Sequence, residues 1–392
     1  MEWKKVRLVD VCSELSDGLH KAPKFIVNGE YIFVNAKNLY NGYILDNDPT
    51  KKTSHEEYLK YKKPLGKHTI LYSIDGTIGN IAKYRGEKCV LGKGACYINC
   101  NPEIVESSYL YYQLQSPHFK SYIHLMSTGS TIKHISLKTM RDYVFELPSL
   151  EAQRRIASIL SSLDRKIELN NKINVDLEEM AQAIFKNWFV DFEPFKEGEF
   201  VDSELGMIPE GWKVGGLFDI AEIFDKKRKP LSGNVREKMD KIYPYYGATS
   251  CMDYVDDYIF DGIYTLIGED GSVVKENGLP YMQYVWGRMW VNNHAHILQG
   301  KNGYSTEMIH ALLSITNIKF LVTGAVQAKL SQGNMQKILV AIPPKNVLDE
   351  IRPVIDNLYS KIRSLSEESS RLSLLRDTLL PRLMSGELEV PE

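Results

Sequence analysis

Four consecutive cations, Lys226, Lys227, Arg228 and Lys229, precede Pro230, and Tyr243, Tyr245 and Tyr246 follow, beside Gly247, Ala248, Thr249 and Ser250. Cations next to aromatic rings and small polar groups suit a nucleic-acid surface, because ammonium and guanidinium groups displace counterions from phosphates. Amides and hydroxyls at Asn35, Asn38, Thr249 and Gln327 have the donor–acceptor pairs that read base edges. Near the other end of the chain, Lys21, Lys24, Lys37, Lys93, Thr131, Lys133 and His134 are further candidates, with Ser272 and Lys329 completing the set.

Other reactive patterns lead nowhere. Cys96 and Cys100, with Cys89, lack a nearby fourth soft ligand for zinc. His294 and His296 share one strand face without an evident third ligand, which favours hydrogen bonding over metal. There is no phosphate loop, no dinucleotide fingerprint and no Ser/His/Asp arrangement. The five scattered cysteines and the absence of an apolar leader suggest free thiols in a cytoplasmic protein away from any membrane.

The elements that would position these residues come in two copies. Residues 127–148 (STGSTIKHISLKTMRDYVFELP) and 322–343 (VTGAVQAKLSQGNMQKILVAIP) share Thr-Gly, then Ser, Met, an apolar run and Pro, at a constant offset of 195. The offset continues through Ile156/Ile351, Leu163/Leu358, Ile167/Ile362 and Leu177/Leu372. Near the start of each copy it is 209, pairing Trp3 with Trp212 and Leu8 with Leu217. Each copy reads as short β runs with turn residues, Asp75-Gly76 and Asp270-Gly271 being the strongest.

After each copy comes a long helical pattern. Ile156, Leu160, Leu163, Ile167, Asn170, Asn174 and Leu177 step by 4 and 3, and Ile351, Ile355, Leu358, Ile362, Leu365, Ser369 and Leu372 repeat the seam. Forty residues at ~1.5 Å each make a rod of ~60 Å. Two matching seams predict an intramolecular antiparallel coiled coil, its register set by Asn170 and Asn174. Pro353 either starts the second helix or bends it.

The expected fold is therefore α+β, with two globular domains of curved mixed β-sheet and few helices in a pseudo-two-fold repeat, separated by a long antiparallel two-helix coiled coil. The boundaries are a first domain 1–148, a central helix 149–192, a linker 193–211, a second domain 212–343, a distal helix 344–386 and a tail 387–392. Net charge is −2 overall, but local: +5 over 1–148, −5 over 149–208, 0 over 209–343 and −2 over 344–392. That excludes a polybasic tail and leaves local nucleic-acid footprints open.

These residues resemble the specificity subunit of type I restriction–modification systems. The resemblance rests on the half-repeat together with LYSIDGTIG (71–79), ELPSLEAQRRIASILSSLDRKIELNN (146–171), DSELGMIPEGW (202–212), IYPYYGATS (242–250), LIGEDGS (266–272), WVNNHAHIL (290–298) and LLPRLMSGEL (379–388). VLDEIRPVI departs from it, having no Gln where the first copy has Gln153. The resemblance implies a non-catalytic chain whose two domains each read one part of a bipartite site on double-stranded DNA. Its helices would set the spacing and dock modification (methyltransferase) subunits, with restriction (translocase/nuclease) subunits as a further partner. S-adenosylmethionine, ATP and Mg2+ would be held by those partners and none by this chain. Two alternatives remain: a specificity subunit for a fused methylase–nuclease, and a scaffolding protein with two ligand-binding β domains on a coiled-coil spacer.

Overall fold

A computed structural model describes residues 3–48, 50–129, 133–324 and 327–390. The chain forms two compact units, residues Met1–Glu168 with Ser369–Glu392, and Leu169–Glu368. Each long helix therefore contributes one part to each unit. Among the described residues no helix is long and apolar enough to cross a membrane.

In the first unit the strands Cys12–Asp17, Ala95–Cys100, Thr69–Ser73 and Ile81–Lys83 form an antiparallel sheet in that spatial order. Tyr31–Val34, Lys52–Thr53 and Cys89–Leu91 form a second, mixed sheet. The buried sequence Thr69–Ser73 is apolar on both faces because layers pack on each side. Lys4–Arg7 pairs with Val144–Leu147 and brings the start of the chain to the root of the central helix.

The second unit repeats this plan. Ala221–Ile223, Ala295–Gly300, Phe260–Gly268 and Met282–Val291 are neighbours in that order. Lys213–Gly216 pairs with Leu339–Ile342, as Lys4–Arg7 pairs with Val144–Leu147. The apolar run at 306–322 forms the helix Thr306–Ile315 and a short turn Lys319–Leu321. Its counterpart at 107–123 is two helices, Ser107–Gln113 and Pro117–Met126, the second begun by the Ser116 cap with Pro117 at its first position.

The central helix is Leu150–Phe189 and the distal helix Lys345–Met384, which passes through Pro353 without interruption. Within the first unit Ala152, Ile156, Ala157 and Leu160 share a core with Leu380, Leu383 and Met384, and Arg376 Nη1 lies 2.8 Å from Asp164 Oδ1. Within the second, Asn170 Nδ2 donates to Glu368 Oε2 at 2.9 Å, and Asn174 Nδ2 to Ser366 Oγ at 2.9 Å. Further along, Tyr359 packs into the core that holds Ala181 and Phe185. Rising numbers on one helix meet falling numbers on the other, so the helices are antiparallel. Beyond Leu177 the buried positions are Ala181, Phe185 and Phe189. There both helices, the distal one through Ile351, Ile355, Tyr359 and Ile362, join the core of the second unit.

Candidate nucleic-acid interface

In the first unit the strand Thr69–Ser73 runs into the turn at Asp75-Gly76, where Gly76 has φ +74°. A side chain at that φ would be strained, so the glycine is a requirement of the turn. Its amide donates to Lys133 O at 3.0 Å, and the Ile135 amide to Ile74 O at 2.9 Å. Thr128 and His134 exchange two backbone hydrogen bonds of 3.0 and 2.9 Å. Gly129, the second residue of the Thr-Gly pair, has φ +96°. The Asp75 carboxylate lies 3.8 Å from both Lys93 Nζ and His134 Nδ1.

The second unit builds the same cradle 195 residues later. Gly271 (φ +78°) donates to Ala328 O at 2.9 Å, and Leu330 N to Glu269 O at 2.8 Å. Thr323 and Lys329 exchange bonds of 2.9 and 2.7 Å, and Gly324 has φ +95°. The two copies thus share their backbone geometry while side chains change. His134 becomes Lys329, Lys133 becomes Ala328 and Ile74 becomes Glu269.

Below the second cradle lies an ionic network. Arg228 Nη1 is 2.6 Å from Glu269 Oε2 and Nη2 is 3.4 Å from Asp225 Oδ2. The guanidinium also donates to Ala295 O at 2.7 Å. His296 places Nδ1 2.6 Å from Asp225 Oδ2 and Nε2 2.7 Å from Leu330 O. Gln332 Nε2 donates to Asp225 Oδ2 at 2.7 Å. Burial by itself pushes the Asp225 carboxyl up. The bonds from His296 and Gln332 with the Arg228 charge overcome that, and its pKa lies below the ordinary value. Asp225, Glu269 and His296 could in principle ligate a cation. The Arg228 guanidinium already supplies the positive charge there, so the cluster reads as a closed internal network.

Three sequence candidates, Arg228, Tyr245 and Asn38, are corrected by this geometry. Arg228 has only 12% of its side chain exposed and is spent on the network, so it does not belong to the basic surface. Tyr245 is buried, its hydroxyl accepting from Leu231 N at 3.0 Å. Tyr246 is half-buried, burial pushes its hydroxyl up to about 12, and it stays among the candidates. Asn38 is buried, donating to Leu45 O and Asn47 Oδ1 and accepting from Asn35 N, so its base-reading atoms are occupied.

The remaining candidates separate into groups. Lys93 and His134 lie beside Asp75, and Lys133 accepts from Gly76 through its backbone carbonyl. In the second copy Lys329 forms a β-bridge with Asp270, Ser272 follows the turn, and Gln327 precedes Ala328, whose carbonyl accepts from Gly271. Lys329 Nζ lies 3.6 Å from Glu269 Oε1. Thr131 lies outside the described residues. Lys21 is exposed and two residues from Leu19, whose carbonyl accepts from the Lys93 amide at 2.8 Å. Lys24 is exposed beside Thr53, on the other sheet. Lys37 is paired with Asp48 at 2.8 Å, and Asn35, half-buried, caps the turn Ala36–Asn38. Lys226, Lys227 and Lys229 are exposed, Lys227 lying 5.0 Å over the Phe224 ring. Thr249 and Ser250 are exposed in the turn after Tyr243–Tyr246.

Of the remaining motifs, Cys89, Cys96 and Cys100 are buried, and burial pushes their thiols up, which suits packing rather than ligation. His294 and His296 both hydrogen-bond, His294 with Asp270 and His296 with Asp225. Sequence reasoning missed Asp75, Asp225 and Glu269 as partners. A signal for the cradles was nonetheless present. Residues 107–141 and 308–348 contain no Asp or Glu at all, and each stretch contains one Thr-Gly hairpin.

The family model described as "Type I restriction modification DNA specificity domain" matches residues 1–179 and 209–373, one match for each copy. The MjaIX type I restriction enzyme specificity subunit of Methanocaldococcus jannaschii is 29% identical over 94% of this chain and 86% of its own length. The HindI specificity subunit of Haemophilus influenzae is 22% identical over 99% of this chain and 100% of its own. The crystal structure of a type I restriction–modification S subunit from M. genitalium shares the fold, with a TM-score of 0.57, 18% identity, and coverage of 98% of this chain and 96% of that one. With both copies matched, this chain belongs to the type I restriction–modification DNA specificity family.

Proposed function

We propose that this chain is the DNA-reading subunit of a type I restriction–modification complex, each copy reading one part of an interrupted target. The observation that carries this reading is the cradle built twice. An Asp-Gly turn bonded to a Thr-Gly hairpin recurs at an offset of 195, with Lys93, Lys133 and His134 around the first and Gln327 and Lys329 around the second. A fixed backbone with exchanged side chains is what a reading head needs when each copy must recognise a different base sequence. The chain itself is non-catalytic. The paired helices set the gap between the two words and dock methyltransferase subunits. Those partners hold S-adenosylmethionine and modify adenine, and restriction subunits add the ATP- and Mg2+-dependent steps.

Base-resolved mapping of adenine methylation in cells with and without the chain tests this. An interrupted motif that disappears with the chain is expected. Insertion of whole heptads into both helices lengthens the gap and preserves both words; an unchanged gap contradicts the spacing role.

A further inference from the structure

Leu125 and Phe320 stand at the same position of the two copies, 195 residues apart. Both are large and apolar, and their exposures are 81% and 77%. A single exposed apolar side chain needs no explanation. The same position exposed in both copies does, because burial alone gives neither unit a reason to keep it.

Their surroundings indicate what they face. Leu125 lies three residues before Thr128, the residue that pairs with His134, and Phe320 three before Thr323, which pairs with Lys329. Three residues span at most ~11 Å, so each side chain is within reach of its hairpin. Both sit in the acid-free stretches. Lys120, Lys133 and Lys138 flank Leu125, and Lys319, Lys329 and Lys337 flank Phe320. The facing turns add carboxylates, Asp75 beside His134 and Glu269 beside Lys329, but these two segments themselves carry only cations, and cations complement phosphates. Val144/Leu339 and Met180/Leu375 also repeat an exposed apolar position, but each is about half exposed or less, and none adjoins a hairpin.

We propose that Leu125 and Phe320 are apolar DNA contacts, one in each copy, pressing on base-step or thymine-methyl surface beside the hairpin. This rests on the DNA-reading function proposed above and adds a specificity-determining residue to each head. Proteins place apolar side chains among cations to touch thymine methyls or to wedge between base pairs. Leu in one copy and Phe in the other provides two differently shaped probes, as two different words require.

The test uses the full chain assembled with its methyltransferase subunits, and duplexes carrying the mapped target or a scrambled one, titrated across a salt series. Leu125→Ser and Phe320→Ser should each weaken binding to the target about tenfold. The salt slope should stay unchanged, because removing an apolar side chain from the DNA face alters no counterion release, and scrambled-duplex binding should also stay unchanged. Lys133→Ala and Lys329→Ala provide the contrast, with flatter slopes. Leu125→Phe and Phe320→Leu should retain most of the affinity but shift base preference in one word each. Unchanged target affinity in both Ser variants, with unchanged thermal unfolding, overturns the proposal. So does loss of methyltransferase co-purification while the assembled complex keeps its affinity, which would assign the positions to a protein partner. A wild-type complex that fails to distinguish target from scrambled duplex sinks the DNA-reading function itself, a separate outcome.

Discussion

Arg228 Nη1 lies 2.6 Å from Glu269 Oε2, and Glu269 immediately precedes the Asp270-Gly271 turn. The pair joins the basic segment to the turn that faces the second hairpin. In the first copy the position of Glu269 is Ile74 and that of Gln332 is Leu137, and by strand register that of His296 is Cys96, which faces Tyr72 as His296 faces Ile267. One cradle is therefore held by apolar packing and the other by buried charge. Replacing Arg228 with Met removes the buried guanidinium from Asp225 and Glu269 and leaves Glu269 with the more exposed Lys329 at 3.6 Å. Breaking a buried pair from one side costs about 3–5 kcal/mol. A marked fall in the thermal midpoint of Arg228→Met is expected, measured by calorimetry. Ile74→Val in the other copy should cost only about 1 kcal/mol.

The same distinction separates the members of the basic run on DNA. Lys226, Lys227 and Lys229 are exposed, and Arg228 is not. Replacing the three lysines with alanine should leave unfolding unchanged and flatten the salt dependence of binding, by about one unit of slope for each phosphate no longer neutralised. A steep slope retained in the triple variant removes this run from the DNA face.

Asn170 is fully buried on the helix seam, with its amide on Glu368. A polar seam residue specifies register at a cost in stability. Asn170→Leu should raise the unfolding midpoint by an amount equivalent to about 1 kcal/mol while loosening the alignment of the two helices. A single cysteine pair placed at Asp164 and Arg376 would report this. Cross-linking should drop in the Leu variant, whereas unchanged yield means that the apolar seam fixes register alone.

How much of this was legible in the sequence depends on how far apart the partners lie. The offset of 195 was visible because both copies preserve Thr-Gly, the apolar run and Pro, each a local requirement of a turn, a strand or a helix start. The seam was visible because heptads are local. The Arg228–Glu269 pair spans 41 residues and Asp225–His296 spans 71. No pattern along the chain connects them, so Arg228 read as one more surface cation. Tyr245 failed for a related reason. An aromatic beside cations suits a nucleic-acid surface, but strand alternation sends Tyr245 inward, beside Trp290 in a core cluster.

Gly324 tests whether hairpin geometry, rather than composition, sets recognition. With φ at +95°, a Cβ there would collide with the Gln327 carbonyl oxygen. Gly324→Ala must distort the hairpin, at a cost of about 1–3 kcal/mol confined to that loop. Specificity for one word of the target should collapse while the other word is still read. Methylation mapping checks this, and simultaneous loss of both words would show that the two heads do not read independently.

His310 predicts a pH dependence. It is buried, with ring centroids 5.4 Å from Tyr284 and 5.7 Å from Tyr359 and Nδ1 3.3 Å from Thr265 Oγ1. Burial, helped by the Lys275 charge, pushes its pKa down from 6.5 to about 4. The folded imidazole stays neutral while the unfolded one takes a proton below pH 6.5. The unfolded state therefore binds more protons between pH 6.5 and 4, and stability falls through that window as pH falls. At about 1.4 kcal/mol per pH unit, the loss over the window is about 3 kcal/mol. Urea unfolding at about pH 7 and about pH 4.5, on either side of most of that window, measures it. His310→Leu should flatten the dependence, since an apolar side chain of similar size among Tyr284 and Tyr359 has no proton to gain. Equal slopes in the two proteins would remove His310 as the source of the acid sensitivity; Asp225, whose lowered pKa takes stability away only below the ordinary carboxylate range, acts outside this window and does not replace it.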